Sequence, residues 1–189
     1  MDLIKRIGLP FADAGASLLK TNSLVIFMTE VKQHIFVVLV EHRPGVLQRV
    51  SSLFSRRRYN IESISVGPTE NPSIARMTII TKGEDKIVEQ IEKQLNKLVN
   101  VIKVVELNPE TAVCRELCIV KIHTPDNKTK EQVIQYADVF RGSIVDVSPK
   151  SLSVELTGDS SKIDAFLNFV KGFGVKEVAR TGVTAVQRG

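Results

Sequence analysis

The stretch HIFVVLVEHRPGVLQRVSSLFSRR (34–57) passes directly from one kind of secondary structure to another. Its first eight residues are mostly β-branched or aromatic, which predicts a strand over 34–41. From Pro44 to Arg57, apolar residues recur every three or four positions, which predicts a helix with one apolar face. Pro44 is expected in the first helical turn, where a missing N–H group costs nothing. Gly45 beside it either eases the turn or lets a ligand approach unpaired backbone N–H groups.

The same order of elements continues outward from this stretch and then repeats. In the first half, we predict further strands over 60–67, 74–81 and 101–107 and a helix over 85–100. The second half predicts a strand over 114–123, a helix after a capping box at Thr129–Gln132, a hairpin of 143–147 with 152–156, a helix from Asp159 to near Gly172, and a strand over 175–186.

Two β-α-β-β-α-β units in tandem predict an α+β protein with two ferredoxin-like domains, each an antiparallel sheet with two helices on one face. Each domain is short, so only ~60% of its chain surface is buried, and we expect a partner to cover exposed sheet faces or edges. We divide the chain into an N-terminal extension (1–32), a first domain (33–108), a linker (109–113) and a second domain (114–189).

The composition excludes several classes of protein. Apolar residues make up 43% and charged residues 25%, which is typical of a globular chain. The sequence has no run of eighteen apolar residues and no signal-peptide order near its start, so neither a membrane span nor secretion is predicted. Cys114 and Cys118 fall in one predicted strand, ~13 Å apart, which is too far for a disulfide. Two free thiols fit the cytoplasm.

No enzyme site is indicated. The three histidines, His34, His42 and His123, lie on separate elements without carboxylates at metal-ligand spacing. RNA recognition modules share the β-α-β-β-α-β order, but they stack bases on aromatics of the first and third strands, where this chain has only Phe36. We interpret Arg56–Arg58 as a solvated helix end, and the net charge of +5 as weak support for a nucleic-acid partner.

The loop HRPGVL (42–47) resembles the ligand loop of ACT domains, which are ferredoxin-like modules that bind amino acids. A longer series resembles the regulatory small subunit of acetohydroxyacid synthase, also called acetolactate synthase, over about residues 33–188. The matching segments are RPGVLQRVSSLFSRRRYNIESISVGPTENPSIARMTI (43–79), EQIEKQLNKLVNVIKVVEL (89–107), FRGSIVDV (140–147), KIDAFL (162–167) and EVARTGV (177–183).

This resemblance implies a cytoplasmic, non-catalytic regulatory subunit of the branched-chain amino acid pathway. It implies that the chain activates a catalytic large subunit and confers feedback inhibition by valine. Thiamine diphosphate, Mg and FAD are expected on the large subunit, and no cofactor is expected in this chain. The first domain is expected to be an ACT domain that forms a homodimer by pairing with a second copy into one continuous sheet.

The resemblance also implies a valine pocket in the cleft between two ACT domains. The helix-start N–H groups are expected to take the carboxylate, and Asn60 with nearby carbonyls is expected to take the ammonium or to fix the loop. His42 stands where the family often has Asn, and Arg58 where many members have Gly, so both bear on effector preference. The expected pocket residues are His42, Gly45, Val46 and Leu47 from one chain with Asn60 and Ile61 from its mate.

Two other functions stay open from the sequence. A free-standing ACT-type amino-acid sensor would share the ligand loop but act on another partner. An RNA-binding protein would share the order of elements and would bind in a salt-sensitive way that valine does not affect.

Overall fold

A computed structural model describes residues 32–189. The first half of the chain forms a four-stranded antiparallel sheet in the order β2-β3-β1-β4, with two helices on one face. Its elements are β1 (Lys32–Glu41), α1 (Val46–Arg56), β2 (Ser63–Pro68), β3 (Ile74–Gly83), α2 (Asp85–Leu95) and β4 (Val101–Leu107). The predicted β-α-β-β-α-β order is confirmed. The predicted N-terminal extension lies outside the described residues, except for Lys32, which begins β1.

Three element boundaries in this half differ from the prediction by more than the one or two residues seen at the other ends, or for a reason that the backbone shows. Helix α1 begins at Val46 and not at Pro44, because Gly45 at the N-cap has a φ of 82° and turns the chain before the helix. Helix α2 ends at Leu95, since the N–H groups of Lys97 and Leu98 bond to carbonyls three residues back and tighten the chain into turns. Strand β2 begins three residues late, at Ser63.

The second half forms another antiparallel sheet in the order β6-β7-β5-β8, and β9 pairs with the beginning of β5. No helix within residues 32–189 is long and apolar enough to cross a membrane. The elements are β5 (Ala112–His123), α3 (Asn127–Val139), β6 (Ser143–Ser148), β7 (Ser151–Gly158), α4 (Ser160–Val170), a 3-10 turn (Lys171–Phe173), β8 (Val175–Arg180) and β9 (Thr184–Gln187).

Three predictions in the second half were wrong in detail. The helix cap is Asp126, whose carboxylate accepts the N–H of Thr129 at 2.8 Å, so Thr129 lies inside the first turn. The predicted strand over 175–186 is two strands, because Gly182 has a φ of 79° and breaks the chain between them. Strand β5 begins at Ala112, inside the predicted linker.

Each sheet buries an aliphatic core beneath its own pair of helices. In the first core, alternate residues of β1 and β3 pack against α1 and α2; its largest fully buried side chains are Phe36, Phe54, Met77, Ile79, Ile91 and Leu95. In the second core, β5 and β7 pack against α3 and α4; its largest are Ile122, Leu152, Leu156, Ile163 and Phe166.

A third core joins the two halves on the opposite face of the first sheet. Residues 181–187, called the C-terminal segment below, cross this face. Val183 and Ala185 are buried there, at 7% and 1% exposure. Their partners in this core are Ile35, Val37, Ile80, Leu107 and Ala112. The same chain therefore covers a sheet face for which we expected a partner.

Candidate functional site

The loop between β1 and α1 is held firmly by its neighbours. The N–H of His42 donates to the carbonyl of Ser73 at 2.8 Å, and its ring Nδ1 donates to the carbonyl of Pro72 at 3.2 Å. The N–H of Glu41 donates to the carbonyl of Asn100 at 2.9 Å. The loop is therefore fixed against two turns that are distant in sequence, and its backbone is preformed.

Gly45 is exposed and faces open space. A Cβ built at this position meets no atom within 4 Å, so crowding does not explain the glycine. The φ of 82° explains the glycine, because residues with a side chain rarely adopt that backbone conformation. The N–H of Val46 makes a long bond of 3.4 Å to Arg43, whereas the N–H groups of Gly45 and Leu47 find no backbone acceptor within the described chain. Unpaired donors, including these two, therefore lie at the start of the helix.

The two aliphatic residues of the loop have different roles. Val46 is 4% exposed and packs into the core beneath the helices, whereas Leu47 is 46% exposed. We expected both side chains to size the pocket. The structure leaves only the side chain of Leu47 free for a ligand, and Val46 presents its backbone alone.

Asn60 and Ile61 lie in the loop before β2. The carbonyl of Asn60 accepts the hydroxyl of Thr81 at 2.7 Å, and its side-chain Nδ2 donates to Glu62 at 2.8 Å. This leaves the exposed Asn60 side-chain oxygen as an available acceptor. Ile61 is half-buried and packs on the edge of the first core.

Within one chain, the loop 42–47 and the pair Asn60 and Ile61 lie at opposite ends of β2. The strand runs antiparallel to β3, with Ser63 beside Ile80 and Pro68 beside Ala75. Asn60 is hydrogen-bonded to Thr81, next to the Ser63–Ile80 pair, and His42 is hydrogen-bonded to Ser73, near the Pro68–Ala75 pair. Six residues of strand span ~20 Å, so a single chain does not bring the six predicted pocket residues together.

Three residues that the sequence interpretation missed position this site. Ser73, Thr81 and Asn100 hold the two loops through the hydrogen bonds above. Each lies twenty or more positions from the residue it holds, so no local pattern marks it. The alternation of a strand predicts which face its side chains take, but not which distant loop they meet.

A second polar cluster lies in the second half of the chain, at its border with the first. The Glu116 carboxylate has a side-chain exposure of 3% and pairs with Arg180, which also donates to Asp164 at 2.7 Å. Hydrogen bonding to Glu116 is the main reason that the pKa of Arg180 is raised. The cluster borders a cleft of about 460 Å³ lined by both domains. The Glu116 and Asp164 carboxylates are both paired with the Arg180 guanidinium, so we assign the cluster a structural role.

The remaining reactive residues do not form a chemical site. Cys114 is half-buried and Cys118 is buried, both as free thiols, and desolvation raises the pKa of each, so both are poor nucleophiles. Among residues 32–189, His, Cys, Asp and Glu form no group of three or more that could hold a metal ion.

Both halves of the chain match models of known protein families. Residues 36–103 match a family model described as the AHAS small subunit-like ACT domain, and residues 115–189 match one described as the small subunit of acetolactate synthase. A probable acetolactate synthase small subunit from Methanothermobacter thermautotrophicus is 60% identical over 160 residues, or 85% of this chain and 95% of that protein. This chain belongs to the acetolactate synthase small subunit family.

Other members of the acetolactate synthase small subunit family agree along most of their length. A probable small subunit from Archaeoglobus fulgidus is 50% identical over 157 residues, or 83% of this chain and 98% of that protein. The crystal structure of the small subunit from Thermotoga maritima shares 42% identity with a TM-score of 0.78 and covers 84% of this chain and 98% of that one. The family and the fold class expected from the sequence are confirmed.

Proposed function

We propose that this chain is the non-catalytic regulatory subunit of an acetolactate synthase, that it activates the catalytic large subunit, and that valine inhibits the enzyme through it. The family match of both halves carries this proposal. Thiamine diphosphate, Mg and FAD belong to the large subunit in this view. The two free thiols are in keeping with a cytoplasmic complex.

A second copy of the chain completes the valine site. Strand β2 is at the edge of the first sheet, with only β3 beside it in the described part of the chain. Edge strands of this kind readily pair with another chain. A two-fold axis between two β2 edges makes them antiparallel, so the start of one lies beside the end of the other. Asn60 of one copy then lies near His42 and Gly45 of its mate, which supports a homodimer with two shared sites.

The chemistry of the two half-sites fits an amino acid. The unpaired N–H groups of Gly45 and Leu47, at the positive end of α1, suit the carboxylate. The free side-chain oxygen of Asn60 suits the ammonium. The exposed side chain of Leu47 and the half-buried Ile61 offer apolar surface to a branched side chain.

Inhibition follows if valine binds one arrangement of the paired domains better than another. A ligand shifts such an equilibrium only by the ratio of its two affinities. Because the site spans two copies, any change in how the β2 edges pair alters the distance between the half-sites. Valine then favours the arrangement in which the large subunit is less active.

The test compares Gly45→Asp with Gly45→Asn in enzyme reconstituted from both subunits. The two side chains have the same shape, and both tolerate a positive φ, so they differ in charge. We expect Gly45→Asp to abolish valine inhibition while activation is kept, because its carboxylate repels that of valine. Gly45→Asn, which adds no charge, should lose less of the valine inhibition. Full inhibition of the Gly45→Asp enzyme by valine would refute the site.

Calorimetric titration of the purified chain with L-valine, and with D-valine as control, tests binding itself. We expect saturable binding of the L-enantiomer alone. A chain that binds L-valine but neither associates with nor activates a catalytic subunit would instead be a free-standing ACT-type sensor.

A further inference from the structure

A basic groove runs between α1 and α2 on the helix layer of the first domain. It has a volume of about 430 Å³, and none of its lining residues is acidic. Two leucines contribute to its lining, together with glutamines and a serine. We call this surface the basic groove; the residues used below are Arg49, Arg56, Arg57, Lys97, Leu53 and Leu98.

The charges of the basic groove are not neutralised by the fold. Within residues 32–189, Arg56, Arg57 and Lys97 form no ion pair, and Arg49 donates to the neutral side chain of Asn100 at 2.5 Å. Clustered like charges repel one another and oppose the compact state. Three other cations of the same domain do have acidic partners: Arg43 with Glu41, Lys82 with Glu62, and Lys93 with Glu89.

One exposed apolar side chain, that of Val99, is next in sequence to the lining of the basic groove. Val99 follows Leu98 directly and is 92% exposed. The loop that carries it is fixed, because Asn100 accepts from Arg49 and donates to Glu41 at 2.7 Å. An exposed valine next in sequence to a surface lined by arginines has the composition of a protein interface, in which Arg and apolar anchors are enriched. A small anion needs the cations but not Val99.

We propose that the basic groove docks an acidic segment of the catalytic subunit, with carboxylates on Arg56, Arg57 and Lys97 and an apolar side chain against Val99. This rests on the proposed function. The groove lies on the helix layer, the C-terminal segment covers the opposite face, and the β2 edge takes the second copy. The three surfaces are separate, so all of them can be occupied at once.

The test measures how much small subunit is needed for half-maximal activation of the cognate catalytic subunit, over a series of salt concentrations. We expect Arg56→Glu/Arg57→Glu to raise this concentration by about tenfold or more and to flatten its salt dependence, because charge complementarity is reversed. Val99→Asp, at an exposed position that bears no core packing, should weaken activation as well.

The matched control is Lys86→Glu/Lys128→Glu, which makes the same change in net charge. Both lysines are exposed and lie in the first turns of α2 and α3, where an acidic residue suits the helix dipole. We expect this variant to activate like the wild type. L-valine titration of all isolated variants should be unchanged, which checks that the fold is intact.

The outcomes separate the two proposals. If wild type, Arg56→Glu/Arg57→Glu and Val99→Asp all activate equally well, the docking surface is wrong and the proposed function stands. If the wild type does not associate with the catalytic subunit, the proposed function fails and the docking surface falls with it. If Arg56→Glu/Arg57→Glu activates normally but loses a salt-sensitive binding to duplex RNA that the wild type shows, the groove binds nucleic acid and the docking proposal is overturned.

Discussion

Arg58 shows how a single residue keeps a turn that glycine usually makes. Its φ of 59° is left-handed, its N–H donates to Ser55 and that of Tyr59 donates to Phe54, which is the Schellman pattern at the end of α1. Arg58 in place of glycine therefore leaves the backbone in the form that a glycine turn would have before Asn60, at a cost of ~1 kcal/mol in backbone strain. In the proposed valine site, we therefore expect effector preference to depend more on His42 than on Arg58.

The pair of Glu116 and Arg180 gives the sharpest stability prediction for a single residue. Replacing Arg180 with Met leaves the Glu116 carboxylate buried without its partner, and we expect a loss of about 3–5 kcal/mol in the free energy of unfolding. Urea denaturation measures this loss. Asp164→Asn removes only the exposed end of the network and should cost about 1 kcal/mol or less.

A second substitution tests the cause of that loss. Glu116→Gln in the Arg180→Met background removes the buried charge and should recover part of the lost stability. No recovery would mean that Arg180 stabilises the protein through packing and not through its charge.

At the scale of elements, the helices of the two domains begin differently. Helices α3 and α4 are capped by the carboxylates of Asp126 and Asp159, whereas α1 and α2 have no side-chain cap. A cap on α1 would occupy the N–H groups that we assign to the ligand. The uncapped start of α1 is therefore in keeping with a ligand site.

The two aspartate caps predict a dependence of stability on pH. Backbone N–H groups of Thr129 and Lys162 donate to these carboxylates and hold the pKa of Asp126 and Asp159 below the ordinary 3.8. Because the pKa values are lowered in the folded state, the stabilisation is complete above the ordinary value. It is lost as the pH falls through the folded-state values.

Asp126→Asn/Asp159→Asn keeps both caps but removes their titration. Between about pH 5 and about pH 2, its free energy of unfolding should fall less than that of the wild type, as followed by urea midpoints. Parallel curves for the two proteins would show that these carboxylates do not contribute to acid unfolding.

At the scale of the whole molecule, the C-terminal segment ties the two domains together. The Ser65 hydroxyl donates to the carbonyl of Val183 at 2.9 Å, and Arg76 donates to that of Ala185 at 2.7 Å. Strand β2 therefore carries the predicted dimer edge and also holds the second domain. In the proposed homodimer, a change in how two β2 edges pair would therefore act on a strand that contacts the C-terminal segment.

Adjacent residues on β9 test this arrangement. Ala185 is 1% exposed against the first sheet, whereas Val186 is 47% exposed. Ala185→Asp buries an unpaired charge and should lower the free energy of unfolding by about 3 kcal/mol or more, whereas Val186→Asp should change it by about 0.5 kcal/mol or less. Urea denaturation gives both values. Equal losses would mean that the third core is not formed in solution.

The sequence by itself determined the two β-α-β-β-α-β units, the apolar faces of their helices and the family. Strand alternation and helix periodicity are local, so Val88, Ile91 and Leu95 reveal the buried face of α2 without knowledge of its neighbours. The loop 42–47 could be read in the same way, because its glycine and the following helix are adjacent in the chain.

Only the tertiary structure decided how distant segments meet. It buried Val46 and exposed Leu47, put Asn60 at the far end of β2, and divided the last predicted strand at Gly182. The Ser65–Val183 bond joins residues 118 positions apart. Alternation assigns a side chain to a face of its sheet, but what covers that face depends on long-range packing, and packing is a property of the folded chain.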